Sequence, residues 1–379
     1  MNMTSQFLQT VTIASLIAPA SEDEFRARYW DTKPLIVRRN DRGYYGDLFA
    51  VADFDNSLKA GPAYATVASD EMRRQLKRQS GGAAPPLDAL VDELHKGSTL
   101  VLERLERRNR KIGPLARSLA PEFGHPVSAS AYLTLPGGNG FGVGPQNRDV
   151  FVLQVAGSRD WQIGAEDESR VNAVTLEQGD LMYLPRGVVH AARQCGEDAS
   201  LCIALSVHTA LFDDLLFAAI KKMAKLDPRL RTGLPLGFLD GRQEGVVKRA
   251  MAAFHAMADE KFLSMVVDDY RDELVQKFQT DISGQVLDSF DPRPLTLDDI
   301  AGPRAGIVYR VHPENDVVRL NVGARKILFP SLFRDSLEFA LTTPAYAIRE
   351  IKGEIEDEER IAFAERLMEE GFLIRQTRS

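Results

Sequence analysis

Few residues in this chain are suited to carry chemistry, and their spacing restricts it further. There are six histidines and two cysteines. Cys195 and Cys202 are too few for a disulfide scaffold or a Cys-rich zinc module, and they fit a reducing compartment. His95, His125, His208, His255 and His312 have no mutual ligand spacing and read as structural or surface residues. His190 differs, because it closes the run Gly179-Asp180-Leu181-Met182-Tyr183-Leu184-Pro185-Arg186-Gly187-Val188-Val189-His190. Arg159 lies in the turn Gly157-Ser158-Arg159-Asp160. A guanidinium there is either solvated or, if turned inward, a planar fork that matches a carboxylate bidentately. Tyr132, inside an apolar run, reads first as a core tyrosine with a satisfied hydroxyl.

The elements that must hold these groups are legible in outline. Ser21 with Glu24 has the spacing of a capping box and should open a short helix through Tyr29 and Trp30. Lys33–Val37 reads as a strand entered through Pro34, Gly81–Pro86 as a loop, Leu87–His95 as a helix with one apolar face, and Thr99–Leu102 as a strand. From Val127 to Val207 short apolar runs alternate with turn residues: Ala131–Leu135, Val150–Val155, Trp161–Ile163, Leu181–Leu184 and Leu201–Val207. That spacing predicts a sandwich or barrel. Leu211 to about Phe290 has helical periodicity, and Asp291-Pro292-Arg293-Pro294 breaks it. The remaining residues mix strands at Gly306–Val311 and Val317–Val322 with helices at Ser331–Leu341 and Asp357–Glu370, the size and order of a winged-helix module. The acidic run Glu354–Glu359 suits the start of the last helix.

Size and charge bound the function. The 379 residues suggest two or three domains. Hydrophobic residues make up 44% and charged residues 27%, which excludes disorder as the main state. With 47 basic and 54 acidic residues the net charge is −7, and the last 89 residues carry 13 basic against 16 acidic, so neither the chain nor its tail suits a phosphate backbone. No apolar run approaches the ~20 residues of a membrane span. Ala18-Pro19-Ala20 resembles a signal-peptidase site, but no Lys or Arg precedes Arg26, so the expected location is cytoplasmic.

In combination, several of these segments resemble the JmjC-type cupin hydroxylases of the ribosomal-oxygenase class. They are Ala131–Pro136, Gly140-Phe141-Gly142, Asp149–Gln154, Gly157–Trp161 and the run ending at His190. Trp30-Asp31-Thr32-Lys33-Pro34-Leu35 matches the N-terminal part of that class, and the helical middle and winged-helix tail occur in its order. The resemblance implies a mainly β core with α elements, a double-stranded β-helix or jelly roll over 1–208. A helical dimerisation region over 209–290 and a winged-helix-like domain over 291–379 would follow. It further implies an Fe(II)- and 2-oxoglutarate-dependent protein hydroxylase, whose iron takes a His-x-Asp pair from one strand and a distant His from another. Residues at i and i+2 share a strand face, which is why that spacing serves one metal.

The chain departs from this pattern at the metal. Counting back from Asp149, the first ligand position holds Gly144 and the second Gln146, leaving His190 as a remnant ligand. Gly144 has no side-chain donor, and Gln146 offers only a neutral carbonyl. Asp149 is three residues from Gln146 and should point to the opposite face. Cys202 on the last strand reads as a small core residue. The anion side looks intact. Arg159 matches the position that holds the distal carboxylate of 2-oxoglutarate in the class, with Tyr132 a second cosubstrate-binding candidate. Arg148 shares parity with Gln146, and a surface position is expected for it.

The resulting expectation is a pseudo-oxygenase, a JmjC fold serving as a protein- or peptide-binding or anion-sensing module. The alternative is an active 2-oxoglutarate/Fe(II) protein or peptide hydroxylase with a rearranged metal site. A third, more distant option is a metal-independent enzyme reusing the cavity. The cofactor implied is 2-oxoglutarate or a similar dicarboxylate, with Fe(II) only if the site is rearranged. The partners expected are a protein or peptide and a second copy of the chain through the helices, with no nucleic acid and no membrane.

Overall fold

A computed structural model describes residues 11–79, 84–139, 141–143, 147–164, 171–192, 197–240, 245–278 and 293–376. The chain divides into two units, 1–209 and 210–379. Among the described residues no helix is long and apolar enough to cross a membrane.

The first unit is built on two antiparallel sheets. Its strands are β1 (Leu35–Val37), β2 (Ala65–Val67), β3 (Leu100–Leu102), β4 (Val127–Thr134), β5 (Phe141–Val143), β6 (Asp149–Ala156), β7 (Arg159–Gly164), β8 (Val171–Leu176), β9 (Leu181–Leu184), β10 (Val189–Ala192) and β11 (Ser200–Val207). Seven form one sheet in the order β1-β9-β6-β11-β4-β3-β2, and four form the other in the order β5-β10-β7-β8. The predicted β region therefore stands, with β4 starting at Val127 rather than Ala131. β5 and β10, of three and four residues, were too short to show a period. β8 has no apolar run to mark it, since Val171–Leu176 mixes polar and apolar residues.

The two sheets face each other across a shared apolar layer. Val150 and Val152 of β6, Met182 and Leu184 of β9 and Cys202 and Ala204 of β11 meet Trp161 and Ile163 of β7, Leu176 of β8 and Ala192 of β10. Because side chains alternate along a strand, even-numbered residues of β4, β6, β9 and β11 point inward. Odd-numbered residues point to the other face of the large sheet. There Phe151 and Tyr183 meet Phe25, and Trp30 lies stacked on both Phe123 and Tyr183, with 5.4 and 5.9 Å between centroids. Ser21 caps the helix Glu22–Arg28 that supplies Phe25, and the helix Ile112–Phe123 supplies Phe123.

Two glycines are required by close approach. Gly157, at φ +60°, makes the β6–β7 turn, and a Cβ there would meet Ala199 O at 2.2 Å. Gly179, at φ +98°, precedes β9, and a Cβ would meet Asp41 O at 2.0 Å. No L side chain fits either position without moving backbone.

The second unit opens with helices Phe212–Leu226, Val246–Met257 and Glu260–Val275. Ala219 and Met223 of the first and Phe262 and Val266 of the third form a core, with Met257 of the second packed against it and only partly buried. Residues 279–292, which include the predicted break at Asp291-Pro292, lie outside the described residues. After them come β12 (Ile300–Pro303), β13 (Tyr309–Glu314), β14 (Val317–Val322), β15 (Arg325–Pro330), β16 (Tyr346–Ala347) and β17 (Leu373–Gln376). They make two three-stranded sheets, β13-β14-β15 and β16-β12-β17, around helices Arg334–Thr342 and Asp357–Glu369. Leu320, Phe329, Leu337, Ile348, Phe363 and Leu367 are among the core residues there. Arg310 and His312 of β13 bond Asp272, tying this unit's sheet to the helix Glu260–Val275.

Candidate functional site

The inward faces of β4, β6, β7, β10 and β11 carry the candidate side chains in layers. At one end is a buried polar layer centred on Arg159, the first residue of β7. Its side chain is completely buried. Nε donates to Ser200 Oγ at 3.1 Å, and Nη2 donates to Thr134 Oγ1. Thr134 Oγ1 lies 2.6 Å from Thr99 Oγ1, and Gln154 Nε2 donates to Ser200 Oγ at 2.9 Å and to Ala156 O at 2.8 Å. Side chains of β4 and β11 thus hold the guanidinium, and Gln154 of β6 and Thr99 brace those two in turn. Arg159 is turned inward from the Gly-Ser turn, as a carboxylate-binding role needs.

Above that layer, Tyr132 of β4 is two residues from Thr134 on the same face and stands opposite Cys202 in the β4–β11 register. Burial raises its phenol to about 12, so it stays protonated near neutral pH and can donate a hydrogen bond. Cys202 is a buried thiol. Arg148 is exposed, as expected, and acts electrostatically on Tyr132 and His208.

His190 stands on the opposing sheet. It pairs in register with Ile163 on one side and Val143 on the other, and its ring lies 5.9 Å from that of Trp161, with only 5% of the residue exposed. Nδ1 lies 2.9 Å from Val188 O. Burial pushes the imidazole below its ordinary pKa, which favours the neutral ring. Tyr132, Arg159 and His190 therefore all face one interior.

Gly144 and Gln146 lie outside the described residues. Asp149, the nearest carboxylate to them in sequence on the β6 side, faces away from His190's interior. It is fully buried on the aromatic face, accepting hydrogen bonds from Tyr183 Oη at 2.8 Å and Thr209 Oγ1 at 2.7 Å, with Arg186 Nη1 at 3.4 Å. Among the described residues no three of His, Cys, Asp and Glu are grouped as a metal ion would need. One pairing escaped the sequence: Ser128 Oγ lies 2.8 Å from His208 Nε2. Eighty positions separate the two, so only strand pairing brings them together.

The fold and this inward-facing site define a JmjC domain of cupin type, and a JmjC domain model matches residues 115–214. The chain belongs to the JmjC-type, ribosomal-oxygenase-like family. It is 30% identical over 309 residues to ribosomal oxygenase 1 of Gallus gallus, covering 72% of this chain and 51% of the relative. It is 26% identical over 340 residues to the bifunctional lysine-specific demethylase and histidyl-hydroxylase NO66 of Culex quinquefasciatus, covering 80% of this chain and 51% of the relative. The chain spans about half the length of these curated relatives. Among solved structures, YcfD, a ribosomal oxygenase from Escherichia coli, aligns with a TM-score of 0.54 at 16% identity over 95% of this chain and 99% of that one. The same protein has been solved with cobalt and 2-oxoglutarate, again at a TM-score of 0.54. At this identity the structural likeness establishes the fold.

Proposed function

We infer that this chain retains the JmjC fold as a binding module for a protein or peptide, or for an acidic small molecule, without iron chemistry. The donor set carries this reading. A facial iron site takes two imidazoles and a carboxylate. Here His190 supplies one imidazole, the sequence offers Gly144 and Gln146 at the other two positions, and Asp149 is held on the opposite face by Tyr183, Thr209 and Arg186. These residues do not fit the metal.

What remains can recognise an anion. Arg159 is fixed by Ser200 and Thr134, so it is already oriented, and Tyr132 offers a hydroxyl on the same face. One charge-assisted contact contributes about 1.5–3 kcal/mol, which corresponds to binding weaker than about millimolar on its own. A dicarboxylate such as 2-oxoglutarate, deprived of a metal contact, should therefore bind in the high-micromolar to millimolar range at best.

The second reading is an active 2-oxoglutarate/Fe(II) protein or peptide hydroxylase with a rearranged metal site. The orientation of Arg159 favours it, together with relatives named as oxygenases. A calorimetric titration of the full chain with Mn(II), alongside metal analysis of the purified protein, separates the two. The binding-module reading expects no tight metal, and metal capture only after Gly144→His and Gln146→Asp are combined. Stoichiometric iron that survives dialysis and is lost in His190→Ala supports the hydroxylase instead.

The rest of the chain fits an interaction role. The helices Phe212–Leu226 and Val246–Met257 expose Phe212, Leu216, Phe217, Met251 and Phe254, a face suited to a second copy of the chain. The two small sheets and two helices of the tail support a winged-helix reading, and its net negative charge favours a protein surface over nucleic acid.

A further inference from the structure

The Ser128–His208 pair is chemistry that neither reading above uses. Ser128 shares the inner face of β4 with Ser130 and Tyr132. His208 follows Ser206 in the inward alternation of β11, and its amide still bonds Pro126 O. Both residues are half-buried, so solvent reaches them. Their side-chain bond is not needed to join the strands, which already share eight register pairs from Ser200–Thr134 to Val207–Val127.

The surroundings suit proton transfer. Burial holds the His208 imidazole below its ordinary pKa, Arg148 pushes it the same way, and Glu106 opposes them. This favours the neutral ring, and Nε2, 2.8 Å from Ser128 Oγ, is within reach of the hydroxyl proton. Glu106 is buried on the helix Leu105–Arg108, with Oε2 held by the Ala129 amide at 2.9 Å. It supplies a fixed negative charge within electrostatic range of the imidazolium that proton transfer creates.

We propose that Ser128 is a nucleophile and His208 its general base, forming a metal-independent site for hydrolysis of small carboxylic esters. Ser128 Oγ attacks the ester carbonyl carbon while its proton passes to His208 Nε2. The same proton then goes to the departing alkoxide, which leaves as the alcohol. Water, deprotonated by His208 Nε2, attacks the acyl-serine carbonyl. The carboxylic product departs, and Ser128 Oγ recovers the proton from His208. No oxidant, reductant or metal is consumed.

Diisopropyl fluorophosphate, a serine-directed electrophile, tests this on the full chain in the presence of EDTA, with the adduct located by peptide mass spectrometry. The expected result is one adduct, on Ser128. It is lost in Ser128→Ala and forms about 100-fold more slowly in His208→Gln, the scale of general-base assistance. Ser206→Ala, which removes the serine opposite Ser128 in register, labels as the wild type does. On the wild type alone, the labelling rate should rise through one ionisation below the ordinary imidazole pKa of ~6.5 and then level off. No adduct, an adduct on Ser206, a rate indifferent to His208→Gln, or a rate that climbs steadily to high pH each overturns the proposal.

Discussion

Replacing Asp149 separates a structural carboxylate from a metal ligand. Its two close donors are the Tyr183 and Thr209 hydroxyls, at 2.8 and 2.7 Å, and Arg186 stands at 3.4 Å. A hydrogen bond to an ionised group contributes about 1.5–3 kcal/mol. Asp149→Asn keeps the shape but offers one acceptor oxygen where there were two, so one hydroxyl loses its acceptor and the cost should be about 1.5–3 kcal/mol. Asp149→Ala abandons both hydroxyls and one side of Arg186, and about 3–5 kcal/mol is expected, as for a broken buried ion pair. For a unit of this size 1 kcal/mol is about 2–4 °C in Tm, which places the Asn variant about 3–12 °C lower and the Ala variant about 6–20 °C lower. The assay is thermal and urea unfolding followed by circular dichroism, repeated with Tyr183→Phe and the double variant. Coupling of about 0.5 kcal/mol or more is expected between Asp149 and Tyr183, because they share one bond. A metal ligand would behave differently: stability would hold and Mn(II) affinity would fall. An unfolding midpoint unchanged in Asp149→Asn, or strict additivity with Tyr183→Phe, would refute the assignment.

Three further outcomes follow from the geometry. Burial lowers the pKa of His125, His190 and His208 in the folded chain. The unfolded state then binds more protons below pH ~6.5, so the stabilisation is present above that pH and lost as pH falls through the folded values. Urea midpoints should drop between pH 7.5 and 5, and less steeply in His190→Gln. Phe254 is 62% exposed and Phe262 is buried at 8%. Phe254→Asp should shift light scattering from dimer towards monomer with little change in Tm, whereas Phe262→Asp should lower Tm itself. Ligand-observed NMR with succinate should give a weak signal on the wild type that disappears in Arg159→Ala; an equal signal in the variant removes Arg159 from the site.

Much of the barrel could be read because its punctuation is chemically forced. Gly157 and Gly179 stand where a side chain would collide with backbone, and the apolar runs between such turns became β6, β7 and β9. The Gly157-Ser158 turn alone left Arg159 either solvated or inward; its inward turn was implied by its place in the family motif. The outward turn of Asp149 followed from alternation, three residues from Gln146. What stayed hidden depends on partners distant in the chain. β5 and β10 are strands because they pair with each other, and β10 also with β7, not because three or four residues carry a pattern. The Ser128–His208 bond needs the β4–β11 register, and no local spacing encodes it. The helix Ile112–Phe123 has a Pro at its last turn, and its place is fixed by burial of Leu115 and Leu119 and by the contact of Phe123 with Phe151 of the large sheet.

The chain has two tryptophans, and the large sheet separates them. Trp30 is sandwiched by Phe123 and Tyr183 on the aromatic face, while Trp161 lies in the interior beside His190. The molecule thus holds a built-in pair of optical reporters for opposite sides of one β layer. With Trp30 changed to Phe, the remaining emission belongs to the interior alone. Occupancy of the barrel, or a proton arriving on His190, then becomes a spectral event that unfolding of the aromatic face does not mask.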